Sequence, residues 1–213
     1  EMLRSLVGSE MCIRDRIYRS SLLRFADDGQ ALYDEDGLLA VAPDDRGQQR
    51  VVAAGSWQAL QAQFTGQPGA EVTHLPGRIL APGFIDLHIH YPQTDVIGAP
   101  AAGLLPWLEK YTFPHESAFC ERAHADSVAE FFLDELQRNG VTTALAFATS
   151  HPGSVDALMG ASQARGMRMI TGKVLQDRHS PDGVRDQTEQ SLIDTETLIQ
   201  RWHGVDRLGY AIT

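Results

Sequence analysis

The sequence predicts an α/β protein that contains the N-terminal half of a (β/α)₈ barrel, preceded by a series of short β-strands. From residue 82 onward, apolar segments of strand length alternate with helical segments. This alternation implies parallel strands joined by right-handed crossovers. The alternation gives four strands separated by helices, half the number of strands in such a barrel. Residues 17–80 instead contain short apolar segments separated by turn signals, which is typical of β-strands.

The region at residues 17–80 is predicted to form three strands and one helix before the chain reaches the barrel. Asp36-Gly37 is a turn signal and predicts a tight, hairpin-like turn inside the second strand. Ser56 is a residue type that caps helices, so the helix is expected to start there. About sixty residues of short strands bury little core on their own. The strands are predicted at residues 17–26, 31–42 and 50–55, and the helix at residues 56–64.

Three helices and four strands are predicted for the barrel region, together with a long catalytic-end loop that includes residues 104–116. Two helices show a clear apolar stripe. One stripe consists of Val128, Phe131, Phe132 and Leu136, and the other of Leu192, Leu198, Ile199 and Trp202. The strands are predicted at residues 82–90, 141–149, 167–175 and 207–213, and the helices at residues 123–139, 155–165 and 187–203.

Both ends of the chain have special features. Residues 1–16 include MCIRDR, which is the translation of a sequencing-adapter end, so they are interpreted as an assembly scar and excluded from the fold. A genuine leader is the alternative, although the segment lacks the apolar region and cleavage site of a signal peptide. Half a barrel leaves open strand edges and an uncovered interior, so the chain is expected to be a fragment interrupted at its C-terminal end.

Residues 82–93, PGFIDLHIHYPQ, carry the strongest functional signal. Side chains two apart in a strand share a face, so His88 and His90 are expected about 7 Å apart along it. Two such imidazoles can bind one metal ion. Pro92 ends the strand and places the pair at its carboxyl end, where α/β proteins carry their chemistry. The opposite face is predicted to lie under a helix layer and consists of Ile85, Leu87 and Ile89.

Composition excludes several other functions. The net charge of −10 and the pI near 5.2 argue against nucleic acid or an anionic membrane as a partner. The apolar segments are too short to span a bilayer. The two cysteines, Cys12 and Cys120, form no disulfide framework, which favours a reducing cytoplasm. Cys120 is expected to be a packing residue.

Several segments together resemble the guanine deaminases, a family within the amidohydrolase superfamily of metal-dependent hydrolases. They include PGFIDLHIHYPQTD, LLPWLEKYTFP, NGVTTALAFATSHPGSVDAL and GMRMITGKVLQDR, and the similarity extends from about residue 17 to the end of the chain. The resemblance implies that residues 17–80 are part of a small β-sandwich domain completed by C-terminal sequence. It also implies that residues 81–213 are the first half of the amidohydrolase barrel.

The resemblance further implies zinc-dependent hydrolysis of guanine to xanthine and ammonia. His88 and His90 would bind one Zn²⁺, with another divalent cation as an alternative, and His90 and Gln93 would contact the purine. A homodimer is implied for the full-length protein. In the family, the other metal ligands, a proton-transferring glutamate and a purine-binding arginine follow later strands. The 213-residue chain alone is therefore expected to lack deaminase activity.

Three alternatives remain open or are set aside on sequence grounds. Another amidohydrolase, of the chlorohydrolase, cytosine deaminase or dihydropyrimidinase type, would share the H-x-H strand. A non-catalytic metal-binding or structural domain would have to close its core with these residues alone. A deaminase of the cytidine type needs H-x-E and P-C-x-x-C strings, and neither occurs.

The remaining polar and aromatic candidates are given mainly structural interpretations. Asp86 is expected to be a partner of a metal-bound imidazole or a polar group inside the strand. Lys173 is interpreted as structural, although some dinuclear amidohydrolases use a carboxylated lysine there. His151 is a candidate pocket residue, and Asp177 and Arg178 are expected to pair. Packing in the loop is predicted for Trp107, Tyr111 and Phe113, and exposure to solvent for His74, His115, His124, His179 and His203.

Overall fold

The structure, a computed structural model, describes residues 16–65 and 71–213. The chain divides into two compact units between Pro82 and Gly83, close to the predicted domain boundary at residues 80 and 81. The interpretation of the N-terminal segment lies outside the described residues except at Arg16, which is the first residue of the first strand.

The described part of the first unit is a four-stranded sheet with one helix. The sheet has the order β3-β2-β1-β4; β1 is antiparallel to β2 and parallel to β4, and β2 is antiparallel to β3. The predicted strands and the predicted helix are confirmed within one or two residues. Its elements are β1 (Arg16–Phe25), β2 (Ala31–Pro43), β3 (Gln49–Ser56), α1 (Trp57–Phe64) and β4 (Glu71–Leu80).

The tight turn predicted at Asp36-Gly37 is wrong, because β2 continues through both residues. The β1–β2 register shifts beside them, which marks a bulge. A Cβ at Gly37 would lie 2.5 Å from the Cβ of Leu22, so the glycine permits close approach of two strands. Asp36 instead pairs across the sheet with Arg19, at 2.7 Å.

A small core lies between this sheet and α1. Ile17, Leu38 and Ala40 are buried, and the partly buried Trp57 and Phe64 of α1 pack against them. Ser56 occupies the predicted N-cap position but makes no side-chain capping bond. Packing rather than capping therefore holds this short helix in place.

The second unit is a four-stranded parallel sheet in the order β5-β6-β7-β8, which confirms the predicted strand-and-helix alternation. Helices follow each of the first three strands, as in a barrel of this class. The strands are β5 (Phe84–His90), β6 (Val141–Phe147), β7 (Arg168–Gly172) and β8 (Leu208–Tyr210). The long helices are α4 (Arg122–Arg138), α5 (Pro152–Arg165) and α6 (Thr188–Trp202).

The long connection after β5 is largely helical rather than the predicted loop. Pro114 lies in the first turn of a helix, where its missing N–H is tolerated, so the prolines there do not prevent helix formation. It contains short helical segments of different pitch: a 3₁₀ segment (Tyr91–Val96), α2 (Leu104–Trp107), a π segment (Leu108–Thr112), α3 (Phe113–Ser117) and a second 3₁₀ segment (Ala118–Cys120).

The main core lies between the parallel sheet and the long helices, and it corrects two of the predicted stripe residues. Val128, Phe132 and Leu136 are buried, but Phe131 is 54% exposed. Adjacent residues are about 100° apart around a helix, so Phe131 leaves the stripe that Phe132 occupies. On α6, Leu198 is buried while Leu192 is 59% exposed.

The predicted helix cover over the outer face of β5 is also wrong for the described residues. Ile85 and Leu87 are 65% and 68% exposed, and Ile89 alone of that face packs partly against the core. β5 is an edge strand of this sheet. Cys120, predicted to pack, is exposed. No helix within the described ranges combines the length and apolar character that crossing a bilayer requires.

Candidate functional site

His88 and His90 lie next to each other at the carboxyl end of β5. Their ring centroids are 5.3 Å apart, with the planes inclined at 61°, so the imidazoles are closer than the spacing along an ideal strand. His88 is exposed and His90 is half-buried. The structure therefore brings together the two residues that the H-x-H pattern singled out.

Phe147, the last residue of β6, fixes the orientation of both imidazoles. It is paired with His90 in the strand register and stacks on that ring, with centroids 4.6 Å apart and planes 12° apart. It also contacts His88 at a centroid distance of 5.2 Å. The sequence analysis missed Phe147 because it ends an apolar strand and looks like a core residue. The signal that could have found it is its register position beside His90.

Asp86 supports the strand rather than an imidazole. Its Oδ1 accepts a hydrogen bond from the backbone N–H of His88, at 3.0 Å. This contact is consistent with one of the two roles predicted for Asp86, that of a polar group within the strand. It holds the backbone of His88 where the β5–β6 register is irregular.

Gln93 lies just beyond the strand, in the 3₁₀ segment, with its amide turned back toward the histidines. Its Nε2 is 3.2 Å from Nδ1 of His90, with donor and acceptor roles that depend on the imidazole tautomer. The segment is anchored by Tyr91, which is fully buried and donates its hydroxyl hydrogen to the carbonyl of Ser154 at 2.8 Å. Gln93 therefore contacts His90 directly.

Glu116, on α3, is a buried acid that the sequence analysis did not identify. Burial raises the pKa of its carboxyl group to about 7, and a hydrogen bond from the Gln93 side chain opposes this shift. No pattern in the sequence marks Glu116, because α3 was expected to be a loop. We call His88, His90, Gln93 and Glu116 the histidine centre.

The electrostatics of the histidine centre favour neutral imidazole at His90. Partial burial lowers the pKa of His90, and the neighbouring His88 lowers it further. Neutral imidazole is the form that binds metal ions. The paired donors therefore fit two positions of a metal site.

The described residues supply only part of a ligand set. Within them, no group of three or more His, Cys, Asp or Glu side chains is arranged to hold a metal ion. Zinc sites use three or four protein ligands, so a metal bound at His88 and His90 needs further ligands from elsewhere.

A second polar cluster lies beyond the carboxyl end of β7, and we call it the lysine centre: Lys173, Asp186 and Ser191. Lys173 is 1% exposed, and its ammonium group donates to Asp186 Oδ1 and to the Ser191 hydroxyl, each at 2.6 Å. The other carboxylate oxygen of Asp186 accepts from the backbone N–H of Gln176. The predicted structural role of Lys173 is consistent with this complete pairing.

His151 lies near the lysine centre rather than in the histidine centre. Burial lowers its pKa, while a hydrogen bond to the backbone of Gly183 and the charge of Asp186 oppose the shift. Its Nε2 is buried without a hydrogen-bond partner among the described residues. His151 does not line the groove beside β5, so its predicted pocket role stays a prediction.

A groove of about 640 Å³ runs between β5 and α4. That volume is in the range of small-molecule sites. His90, Gln93 and Trp107 line it, but His88 does not, so the groove lies beside the histidine pair rather than over it.

Other predicted contacts have mixed outcomes. Asp177 and Arg178 form the expected local pair, at 3.5 Å. The prediction of solvent exposure is wrong for His115, which is half-buried with Nδ1 2.7 Å from the Tyr111 carbonyl. It is also wrong for His124, which is half-buried against the Phe119 ring at a centroid distance of 4.8 Å.

The parallel sheet, with the histidine pair at its carboxyl end, has the arrangement of one half of a (β/α)₈ barrel, and comparison with known proteins assigns the family. Residues 79–208 match the amidohydrolase family, and the chain belongs to that family. Within it, the chain is 44% identical over 179 residues to guanine deaminase of Escherichia coli (strain K12), covering 84% of this chain and 39% of that protein.

Solved structures agree with this assignment. Guanine deaminase from Bradyrhizobium japonicum superimposes with a TM-score of 0.86 at 35% identity, covering 94% of this chain and 43% of that one. Guanine deaminase from C. acetobutylicum with bound guanine has a TM-score of 0.77 at 26% identity, covering 94% and 46%. The chain thus spans less than half the length of the relatives it matches.

Proposed function

We propose that the complete protein containing this chain hydrolyses guanine to xanthine and ammonia, with a divalent metal, Zn²⁺, held partly by His88 and His90. The observation that carries the proposal is the pair of imidazoles 5.3 Å apart, with the Gln93 amide 3.2 Å from the second of them. The similarity to guanine deaminases over most of this chain supports guanine as the substrate.

The donor set supports the metal. Phe147 holds both rings, and the depressed pKa of His90 keeps a nitrogen lone pair available. When bound, zinc with an open coordination position supplies a Lewis acid that lowers the pKa of a bound water toward about 7. Since the described residues offer two such donors, the remaining ligands are proposed to come from sequence outside this chain.

Gln93 is proposed to bind and orient the purine. An amide carries both donors and an acceptor, so it can pair with the edge of a base. The contact of its Nε2 with Nδ1 of His90, at 3.2 Å, supports this role. The expected homodimer and the cytoplasmic location stay predictions.

The proposal is tested by comparing substrates with the purified, zinc-loaded complete protein. Guanine, a melamine-type triazine and cytosine are each supplied at a series of concentrations, and released ammonia is measured alongside the product. We expect kcat/KM for guanine to exceed the other two values by about a hundredfold or more, because a site built around one hydrogen-bonding pattern rejects others strongly. A preference for the triazine or for cytosine contradicts the proposal and favours another amidohydrolase activity.

The 213-residue chain alone serves as the matched control in the same assay. We expect no xanthine, because no group of three or more possible metal ligands is arranged together among the described residues, and a zinc site needs three or four. Xanthine formed by this chain alone would show that the ligand set proposed above is wrong.

A further inference from the structure

Phe147 contacts both imidazoles of the histidine centre from the neighbouring strand. Its ring is stacked on the His90 imidazole, with centroids 4.6 Å apart and planes 12° apart. The same ring lies 5.2 Å from the centroid of His88, with the planes inclined at 58°. Aromatic rings at these separations attract one another beyond the area they bury. One side chain therefore restrains both proposed metal ligands.

The strand that carries Phe147 is more regular than the strand that carries the histidines. β5 is an edge strand, and its register with β6 shifts within residues 86–89, which include His88. β6 lies between β5 and β7 and pairs with β7 without a register shift. Ala146 and Ala148, on either side of Phe147, are buried. The core therefore holds Phe147 in place, whereas the irregular edge strand does not by itself fix the imidazoles.

The usual means of orienting a metal-binding histidine does not explain the position of the His88 ring. Metal-bound imidazoles generally donate their second ring N–H to a carboxylate, a carbonyl or a water, and this partner fixes the ring. The nearby carboxylate of Asp86 accepts instead from the backbone N–H of His88. In the described part of the chain, the His88 ring contacts the rings of His90 and Phe147. An aromatic ring is therefore in the place where a hydrogen-bonding partner is usual.

Stacking restrains an imidazole without using its nitrogen atoms. Both nitrogens lie at the edge of the ring, and the lone pair that binds a metal lies in the ring plane. Phe147 lies against the face of His90, so it does not compete with a metal ion for that lone pair. Part of the side-chain entropy that metal binding costs is then already lost in the folded, metal-free protein.

We propose that Phe147 is a positioning residue that restrains His88 and His90 before the metal binds and thereby sets the affinity of the metal site. This inference deepens the proposed function and rests on it for the identity of the two ligands. Without the ring, each imidazole regains rotation about its side-chain bonds, and the metal has to order both of them.

The test measures the binding of Zn²⁺ to the metal-free complete protein, by competition with a chelator of known affinity. Phe147→Leu keeps an apolar side chain but no aromatic ring, whereas Phe147→Tyr keeps the ring. We expect Phe147→Leu to raise the dissociation constant for Zn²⁺ about tenfold or more, and Phe147→Tyr to change it by less than about threefold. Phe25→Leu, the same substitution at an exposed phenylalanine of β1, is the matched control and should leave the constant unchanged.

A merely structural role for Phe147 gives a different pattern. The melting temperature of the metal-free protein is measured for each variant alongside the zinc affinity. If Phe147→Leu lowers the melting temperature but binds zinc as tightly as the wild type, the positioning role is overturned. It is also overturned if Phe147→Tyr binds zinc as weakly as Phe147→Leu, because the aromatic ring is then not what matters.

Proton NMR of the metal-free protein tests the restraint itself and needs neither zinc nor turnover. A ring stacked at 4.6 Å moves the signals of the His90 ring protons upfield, and these signals are identified by their loss in His90→Ala. We expect the upfield shift in the wild type and in Phe147→Tyr, and its loss in Phe147→Leu. Signals at the position of an unstacked imidazole in the wild type overturn the inference even if guanine is turned over. The shift and the zinc affinities support it even if another substrate is preferred.

Discussion

The histidine centre and the lysine centre both lie at carboxyl ends of parallel strands, yet they treat their polar groups differently. In the lysine centre, the ammonium group of Lys173 donates hydrogen bonds to the Asp186 carboxylate and to the Ser191 hydroxyl, each at 2.6 Å. The side chains of Lys173 and Asp186 are almost completely buried. In the histidine centre, His88 is exposed, and its ring contacts are with other rings.

The difference separates a structural cluster from a candidate site. Buried charges that pair fully are costly to disturb and have no capacity left for a ligand. Oriented groups with free lone pairs keep that capacity, and rigid supports such as Phe147 hold them ready for use. Changes at the two imidazoles of the histidine centre should therefore affect activity, and changes in the lysine centre should affect stability.

The largest expected effect follows from removing the imidazoles in the complete protein. His88→Ala and His90→Ala each remove a proposed metal ligand, so we expect kcat/KM for guanine to fall by about a thousandfold or more. Metal content, measured by atomic emission after dialysis, should fall with it, while the free energy of unfolding of the apo-protein changes little. His74→Ala, at an exposed histidine, is the control. Full metal content in both variants would contradict the assignment.

The lysine centre should show the opposite behaviour. Lys173→Met leaves Asp186 buried without its counter-charge, so we expect the free energy of unfolding to fall by about 3–5 kcal/mol. Urea unfolding of the complete protein measures this loss. Arg122→Met, which breaks the exposed pair with Asp126, is the control and should cost less than about 1 kcal/mol. A Lys173→Met protein of normal stability that has lost activity would instead make Lys173 functional.

Periodic patterns predicted most of the architecture. The sequence predicted the alternation of strands and helices after residue 82, because the spacing of apolar residues is a local property. It also predicted the helix end at Gly166, where the backbone is left-handed and a glycine is favoured. The histidine pair was predicted for the same reason, since side chains at positions i and i+2 share a face in any strand. Local spacing was sufficient for both.

The features that failed depend on tertiary contact. Gly37 looked like a turn residue because its role, a close approach to Leu22, involves another strand. Phe147 and Glu116 joined the site through register and through the packing of a helix that was expected to be a loop. No spacing within one segment encodes such contacts, so they needed coordinates.

The last prediction concerns Glu116, the one buried acid in the histidine centre. Its pKa in the folded protein is raised to about 7 from 4.5, so the folded state binds more protons than the unfolded state between these values. Stability from this group is therefore present at low pH and is lost as pH rises through 7. Glu116→Gln lacks this titration. We expect its free energy of unfolding, relative to wild type, to rise by roughly 3 kcal/mol from pH 4.5 to pH 8.

Urea unfolding of both proteins across this range measures the difference, and Glu121→Gln, at an exposed acid, should show almost none. The comparison with the lysine centre is sharper here, because the carboxylate of Asp186 is paired with the Lys173 ammonium group at 2.6 Å, whereas burial is the main influence on the carboxyl group of Glu116. A constant difference between Glu116→Gln and wild type would mean that the Gln93 hydrogen bond offsets the burial of the carboxylate completely. In that case the buried carboxylate of Glu116 would be as fully compensated by its hydrogen bonds as the charged groups of the lysine centre. The contrast between the two centres would then depend on the imidazoles alone.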